Sequence, residues 1–276
     1  MKCVQDYRDY YANCVVRSAG STSARLIAAF AAVERERYLG TGPWSIFVGS
    51  GYIQTPSDDP RLLYQDVLVG LAVDRGINNG QPSLHARCLA ACAPADGELV
   101  VHIGAGTGYY TAILAALVGP QGHVFAYEIE RNLADRAIEN LSYLQNVRVI
   151  CASAAEGVLP EANVIYVNAG ATHPPASWLD ALKVDGRLIF PLTTDDGVGC
   201  MLLVTRRGEA KYEASTVARV SFIPCVGARD AATSIALARA LETQSLKMVK
   251  SLRRGTQPDA TAWCVGNDWW LSTAPA

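Results

Sequence analysis

Apolar positions along the chain fall into blocks of helical and strand period. Tyr7, Tyr10, Tyr11, Cys14 and Val15 recur at helical intervals and predict a helix from Asp6 to Arg17. Ser21-Thr22-Ser23 offers an N-cap for a second helix, Ala24 to about Tyr38, with Leu26, Ile27, Phe30 and Val33 on one side and Glu34 to Arg37 on the other. Residues 40–63 mix Gly40, Gly42, Pro43, Pro56 and Pro60 with Trp44, Ile46, Phe47 and Val48 and read as an ordered loop. Asp66 to Val73 is strand-like, and residues 76–82 cannot be helix interior. Pro82-Ser83 starts a helix that turns Leu84, Cys88, Leu89 and Cys92 inward.

The most informative stretch runs from Gly97 to Glu128. An apolar run, Leu99 to Ile103, enters Gly104-Ala105-Gly106-Thr107-Gly108, followed by a helical segment and a second strand-like run ending at Glu128. This is the layout of a βαβ unit with a nucleotide-type cofactor at the carboxyl edge of a parallel sheet. Glu128 then stands where a carboxylate can accept hydrogen bonds from both ribose hydroxyls. A dinucleotide fingerprint places its third glycine one residue later, where this chain has Tyr109. The G-x-G-x-G form with an acid about twenty residues on resembles the pattern of class I methyltransferases, which bind S-adenosylmethionine.

Beyond Glu128 the pattern predicts a helix Arg131–Leu141, a strand 147–151, a strand 163–168, a short helix 177–182 and a strand 187–192. Strand candidates follow at 199–205 and 218–223, separated by a charged turn, 206–209. Repeated β–α alternation with strongly apolar strands means a parallel sheet covered on both faces. Residues 231–251 read as one long amphipathic helix ended by Arg253-Arg254-Gly255, with Trp263, Trp269, Trp270 and Leu271 in a terminal hairpin that anchors the tail. That helix could close over a cofactor or form a homodimer face.

Several pieces together resemble the protein-L-isoaspartate O-methyltransferase family: the Arg-Glu-Arg-Tyr segment 35–38, Tyr64 to Asp66, the Gly76–Ala86 loop with Pro82 and His85-Ala86, Ile103 to Ala112, and Leu182 to Pro191. The match spans roughly residues 24–226. It implies a Rossmann-like class I methyltransferase fold, α/β with a mainly parallel seven-stranded sheet. S-adenosyl-L-methionine would be clasped between the sheet edge and the 76–86 loop.

With the edge geometry, the resemblance makes Ile77, Asn78, His85, His102, Gly104, Ala105, Gly106, Thr107, Gly108, Glu128, Ile129, Ser153, Ala154 and Asn168 the candidate cofactor residues. Asn79, Gly80 and His173 are the candidate catalytic ones. The departures are specific. Asn78-Asn79-Gly80 stands where the family has Thr-Ile-Ser, whose hydroxyl faces the substrate carboxylate. His102 replaces an acid, Ser153-Ala154 replaces the Asp-Gly that recognises adenine, and Asn163 replaces an Asp. Neutral Ser153 can still hydrogen-bond an adenine amine. These departures lead to the expectation of a divergent relative with a different methyl acceptor.

Among the histidines, His85 is read as a cofactor contact, with a helix-surface residue as the plain alternative. His173 is either an acid–base group near the acceptor or a solvent-exposed loop residue. His102 is read as a neutral hydrogen-bonding imidazole near the methionine end of the cofactor, and His123 as structural.

Bulk properties narrow the classes. Of 276 residues, half are hydrophobic and 18% charged, which supports a buried core and excludes a disordered chain. A net charge of −2 argues against a general affinity for nucleic acid. The N-terminus is too polar for a signal peptide and no apolar run is long enough to span a bilayer, so a cytoplasmic protein is expected. The eight cysteines lack C-x-x-C pairs and read as small buried hydrophobes in a reducing compartment, with no metal site expected. The expected organisation is a helical and loop cap (1–75), a cofactor-binding core (76–226) and a helix–hairpin extension (227–276).

The function so implied is methyl transfer, first to a carboxylate or other oxygen of a peptide or small molecule. A catalytically silent binding protein of the same fold and a nicotinamide-dependent oxidoreductase are the alternatives.

Overall fold

The computed structural model describes residues 3–276. They divide into two compact units: one from the N-terminus to Gly97 together with Ala105–Cys151, the other from Glu98–Gly104 together with Ala152–Ala276.

In the first unit, the leading helix spans Val4–Ser18 and buries Arg8, Tyr11, Ala12, Val15 and Val16. This face lies beside the predicted one. Tyr7, Tyr10 and Cys14 are exposed, because the stripe that turns inward is the one carrying the small Ala12 and the β-branched valines. The second helix is capped by Ser23, whose side chain accepts from Leu26 N–H, but it ends at Ala32. Arg35–Tyr38 is a separate 3₁₀ turn, and Arg35, expected on the polar side, is fully buried. The reason is tertiary: its guanidinium donates to the carbonyls of Leu63 (2.5 Å), Gln65 (2.9 Å) and Val67 (2.6 Å). A continuous helix would carry Arg35 away from them.

The 40–63 segment is ordered, as expected, and holds a small antiparallel hairpin, Ser45–Phe47 with Tyr52–Gln54. Leu39, Trp44, Leu63 and Val69 pack beneath it as a local core. Of the strand-like run 66–73, only Gly70–Ala72 is strand. It pairs antiparallel with Ile77–Asn78, so part of the predicted loop is ladder. The helix Pro82–Cys92 buries His85, Ala86, Cys88, Leu89 and Cys92. The helix Tyr109–Val118 is buried almost all round, which its uniformly apolar sequence requires. His123–Glu128 and Val147–Cys151 pair in parallel, and the helix Arg131–Leu141 connects them. His123 is exposed at the start of its strand.

In the second unit, strands 262–265, 269–272, 251–254, 211–221, 198–208, 182–193, 162–167 and 99–103 lie side by side in that order. The pairs 99–103/162–167 and 162–167/182–193 are parallel. The pairs beyond them are antiparallel. The Ala176–Asp180 helix seats Trp178 edge-on against Phe190 (5.9 Å), with its indole N–H donating to Ala154 O at 2.7 Å.

The predicted long C-terminal helix ends at Thr243 instead of 251. Leu246–Met248 forms a 3₁₀ turn started by Ser245, and Ser251–Arg254 is a strand pairing with both Glu213 and the Trp269–Ser272 strand. The sheet therefore extends further than the sequence pattern implies. Leu246, Val249 and Leu252 are buried by this path, which an isolated helix would not achieve. The tryptophan hairpin forms as expected, with Trp263, Trp269 and Trp270 all buried.

Two further differences concern burial and membranes. Cys3, Cys14 and Cys151 are exposed, whereas the other five cysteines are buried. The burial expectation thus fails for cysteines at a helix terminus, on an outer helix face and at a strand end. No helix among the described residues is long and apolar enough to cross a membrane.

Candidate functional site

The glycine turn adopts the left-handed conformations that its residues allow: φ is +76° at Gly104, +57° at Gly106 and +99° at Gly108. Gly108 is required twice over. Besides its φ, a Cβ there would meet Leu141 Cδ1 at 2.7 Å, so the glycine lets the Arg131–Leu141 helix pack against the turn. Thr107 is buried and its carbonyl accepts from Asn140 Nδ2 at 2.9 Å.

Glu128 is buried at the tip of its strand. Its Oε2 accepts from Gly106 N–H at 2.7 Å and its Oε1 from Glu130 N–H at 2.9 Å. Burial raises its pKa above the usual carboxylate range, with those backbone N–H groups pulling it back. A carboxylate carries about four acceptor sites, so capacity remains for a diol. This fits the ribose role, and a Cβ at Gly106 would meet only Leu71 Cδ1 at 3.7 Å, leaving the turn uncrowded. Ile129, the next residue, is exposed.

The 76–86 loop is built on a buried cation. Arg35 extends its fork beyond the three carbonyls to Asn79 Oδ1 at 3.5 Å, and its guanidinium lies over Tyr11 (5.7 Å) and Tyr109 (5.9 Å). Asn79 Oδ1 also accepts from Val69 N–H at 2.9 Å, while Asn79 N–H donates to Val69 O. Asn78 Oδ1 accepts from Gly80 N–H at 2.9 Å, an Asx turn. His85 is buried and stacks on Tyr110, ring centroids 3.6 Å apart. The helix-surface alternative for His85 is thereby excluded. The loop candidates Ile77, Asn78, Asn79, Gly80 and His85 thus stand together, with Tyr110 and Arg35 as members that periodicity did not single out. Arg35 had one signal, its place in the Arg-Glu-Arg-Tyr segment.

In the second unit, His102 is fully buried. Its Nε2 is 2.8 Å from Asn168 Nδ2, which makes that nitrogen the acceptor. Burial pulls its pKa down to about 3, so the imidazole is neutral at physiological pH, as expected. Asn168 N–H donates to Ile103 O, and a Cβ at Gly104 would lie 3.4 Å from the Asn168 carbonyl carbon. Ser153 Oγ accepts from Ala155 N–H at 3.3 Å, and Ala154 is buried under Trp178.

His173 is half-buried, neither solvent-exposed nor enclosed. Its Nδ1 is 3.1 Å from Thr172 Oγ1, and burial lowers its pKa against the opposing pull of Asp230 and Asp268. Arg229 fixes the neighbouring backbone by donating to Gly170 O, Thr193 O and Thr194 O and pairing with Asp195 at 2.7 Å.

The chain is 31% identical over 175 residues to a protein-L-isoaspartate O-methyltransferase of Ignicoccus hospitalis, covering 62% of this chain and 82% of that one. It is 30% identical over 229 residues to protein-L-isoaspartate O-methyltransferase 2 of Marinobacter nauticus, covering 81% and 94%. Among solved structures, a protein-L-isoaspartate O-methyltransferase matches with a TM-score of 0.66 at 24% identity, over 85% of this chain and 69% of that one. A Plasmodium falciparum structure described as a putative member in complex with S-adenosyl-L-homocysteine matches at 0.63 and 18%, over 80% and 98%. These two likenesses establish the class I methyltransferase fold. The model of the protein-L-isoaspartate(D-aspartate) O-methyltransferase family matches residues 14–230, and the chain belongs to that family.

Proposed function

We propose that this S-adenosylmethionine-dependent methyltransferase esterifies a carboxylate of a peptide acceptor, with an isoaspartyl residue as the first acceptor to test. The observation that carries the reading is the buried Glu128 carboxylate turned back onto Gly106 N–H, in a chain whose family match runs through the whole segment. The names of relatives near 30% identity support the isoaspartyl acceptor over the different acceptor expected from the missing loop serine.

When bound, S-adenosylmethionine supplies a methyl carbon that is already electrophilic. The residues proposed to hold it are Ile77, Asn78, His85, His102, Gly104 to Gly108, Glu128, Ile129, Ser153, Ala154 and Asn168. Glu128 orients the ribose through its remaining acceptor sites, and the glycine turn lets the backbone approach without side-chain interference. His102, neutral and held by Asn168, adds a polar group without a charge. The 76–86 loop, braced by Arg35, aligns the acceptor and excludes water. A carboxylate nucleophile is ionised at neutral pH and needs no general base, so His173 is proposed as an acceptor-side contact with no proton to remove.

The test is transfer of labelled methyl to an isoaspartyl peptide and its aspartyl counterpart. Methylation of the isoaspartyl form alone supports the reading, and methylation of neither peptide rejects this acceptor.

A further inference from the structure

Thr172 and His173 follow a stretch of backbone that is laced on both sides. Ala171 N–H donates to Pro191 O at 2.8 Å, Thr172 N–H to Ala228 O at 3.0 Å, and Cys225 N–H to Gly170 O at 2.7 Å. Arg229 adds a side-chain clamp: its Nη1 donates to Gly170 O at 2.9 Å and to Thr193 Oγ1 at 3.1 Å. A Cβ at Gly170 would lie 2.4 Å from that hydroxyl oxygen, so the stretch packs this closely only with glycine there. Thr172 is fully buried, and its hydroxyl is held in place.

That hydroxyl has one hydrogen to give. Its oxygen accepts at 2.8 Å from the N–H of Asp230, the residue that caps the helix Ala231–Thr243. The hydrogen can go to Ala228 O at 3.5 Å or to His173 Nδ1 at 3.1 Å. The first distance lies beyond the roughly 3.0 Å limit of an O–H···O bond, and Ala228 O already takes the Thr172 N–H. The hydrogen therefore points at Nδ1, which must present a lone pair. A neutral imidazole has one ring proton, so that proton sits on Nε2. Burial and Arg229 favour the neutral form, against the opposing pull of Asp230 and Asp268. Among the described residues, Nε2 has no hydrogen-bond partner, so its N–H is open to a ligand.

Resting on the reading that His173 faces the methyl acceptor, we infer that Thr172 is a positioning residue that holds His173 as the Nε2–H tautomer, a hydrogen-bond donor to a main-chain carbonyl of the acceptor peptide and not a base. A donor aimed at the reacting carboxylate would tie up a lone pair that must attack the methyl carbon. A peptide carbonyl beside it has no such conflict and accepts one N–H. With one ring nitrogen protonated and the other engaged by Thr172, His173 cannot take a proton from an alcohol or amine. Acceptors that need deprotonation gain nothing from it.

The tautomer is read from long-range proton–nitrogen NMR spectra, in which protonated and bare ring nitrogens resonate far apart; His173→Ala assigns the signal among the four histidines. Wild type and Thr172→Ser are expected to carry the proton on Nε2, and Thr172→Val to shift toward the Nδ1-protonated form. A wild-type proton on Nδ1, or a Thr172→Val spectrum like wild type, overturns the assignment. Kinetics with an isoaspartyl peptide test the contact. His173→Ala and Thr172→Val are expected to raise the peptide KM about fivefold, the worth of one hydrogen bond, with kcat and the calorimetric Kd for S-adenosylhomocysteine within about twofold. Thr172→Ser, and His173→Gln, whose amide N–H reaches about as far from the backbone as Nε2, are expected to lose much less. An unchanged KM in His173→Ala overturns the proposal, as does a fall in kcat shared by His173→Ala and His173→Gln, the mark of a base. Wild type that methylates no isoaspartyl peptide rejects the acceptor reading and with it the peptide contact, while the nitrogen spectra still decide the tautomer.

Discussion

Glu128 and His102 are two buried titratable groups whose protonation on acidification acts on different properties, cofactor affinity and stability. Ionised Glu128 is the form that accepts hydrogen bonds from a diol, and its raised pKa brings protonation closer to neutrality. Cofactor affinity should therefore fall as pH drops into the acid range, and Glu128→Ala should weaken it by about 1–3 kcal/mol through lost charged hydrogen bonds. Calorimetry on both proteins checks this; a variant with wild-type affinity removes Glu128 from the ribose role. His102 acts on stability instead. The unfolded chain takes up its proton near 6.5 while the folded imidazole resists until about 3, so the unfolded state binds more protons between those values. Stability is then lost as pH falls through that window, at up to about 1.4 kcal/mol per pH unit. His102→Gln should flatten this part of a denaturant-unfolding profile, and an unchanged slope would locate the dependence elsewhere.

At the scale of elements, the 63–80 segment depends on one side chain. Arg35 satisfies three backbone carbonyls and reaches Asn79, which in turn holds Val69. Arg35→Met leaves those acceptors buried and unpaired, at a cost of about 3 kcal/mol. Hydrogen exchange at the Val69 and Asn79 amides should speed up more than exchange in the Trp269–Ser272 strand; a uniform change would mean that the bracket is not local. The C-terminal hairpin is a second such element. Trp270 is buried, donates to Thr256 O at 3.2 Å and lies under the Arg253 guanidinium, so Trp270→Ala should cost about 3–5 kcal/mol in denaturant unfolding. These elements also show what periodicity can and cannot reveal. Helix 24–38 and helix 231–251 both carried a 3.6-residue pattern, yet each breaks early. In one, a buried arginine must reach carbonyls thirty residues away in sequence; in the other, Leu246 to Leu252 gain more burial as a turn and a strand. Neither contact is written in the local pattern.

Over the whole molecule, what was legible was the part with fixed spacing. The glycine turn, Glu128 and the alternation of strands and helices identified the fold, because backbone reversal and close helix packing demand those residues at those intervals. The loop was half legible: Asn78, Asn79 and Gly80 were marked by their departure from the family pattern, but the ring of His85 filling the place of a side chain at Gly80 needs three dimensions to see. The proposed reaction is methyl ester formation on a peptide carboxylate. Its most direct measurement is transfer of radiolabelled methyl to an isoaspartyl peptide, followed by mild base treatment of the product. Label is expected on the isoaspartyl peptide, absent from the aspartyl control, and released by base as methanol. Label that survives base, marking methylation of nitrogen or sulfur, would contradict it, as would no transfer to the peptide at all.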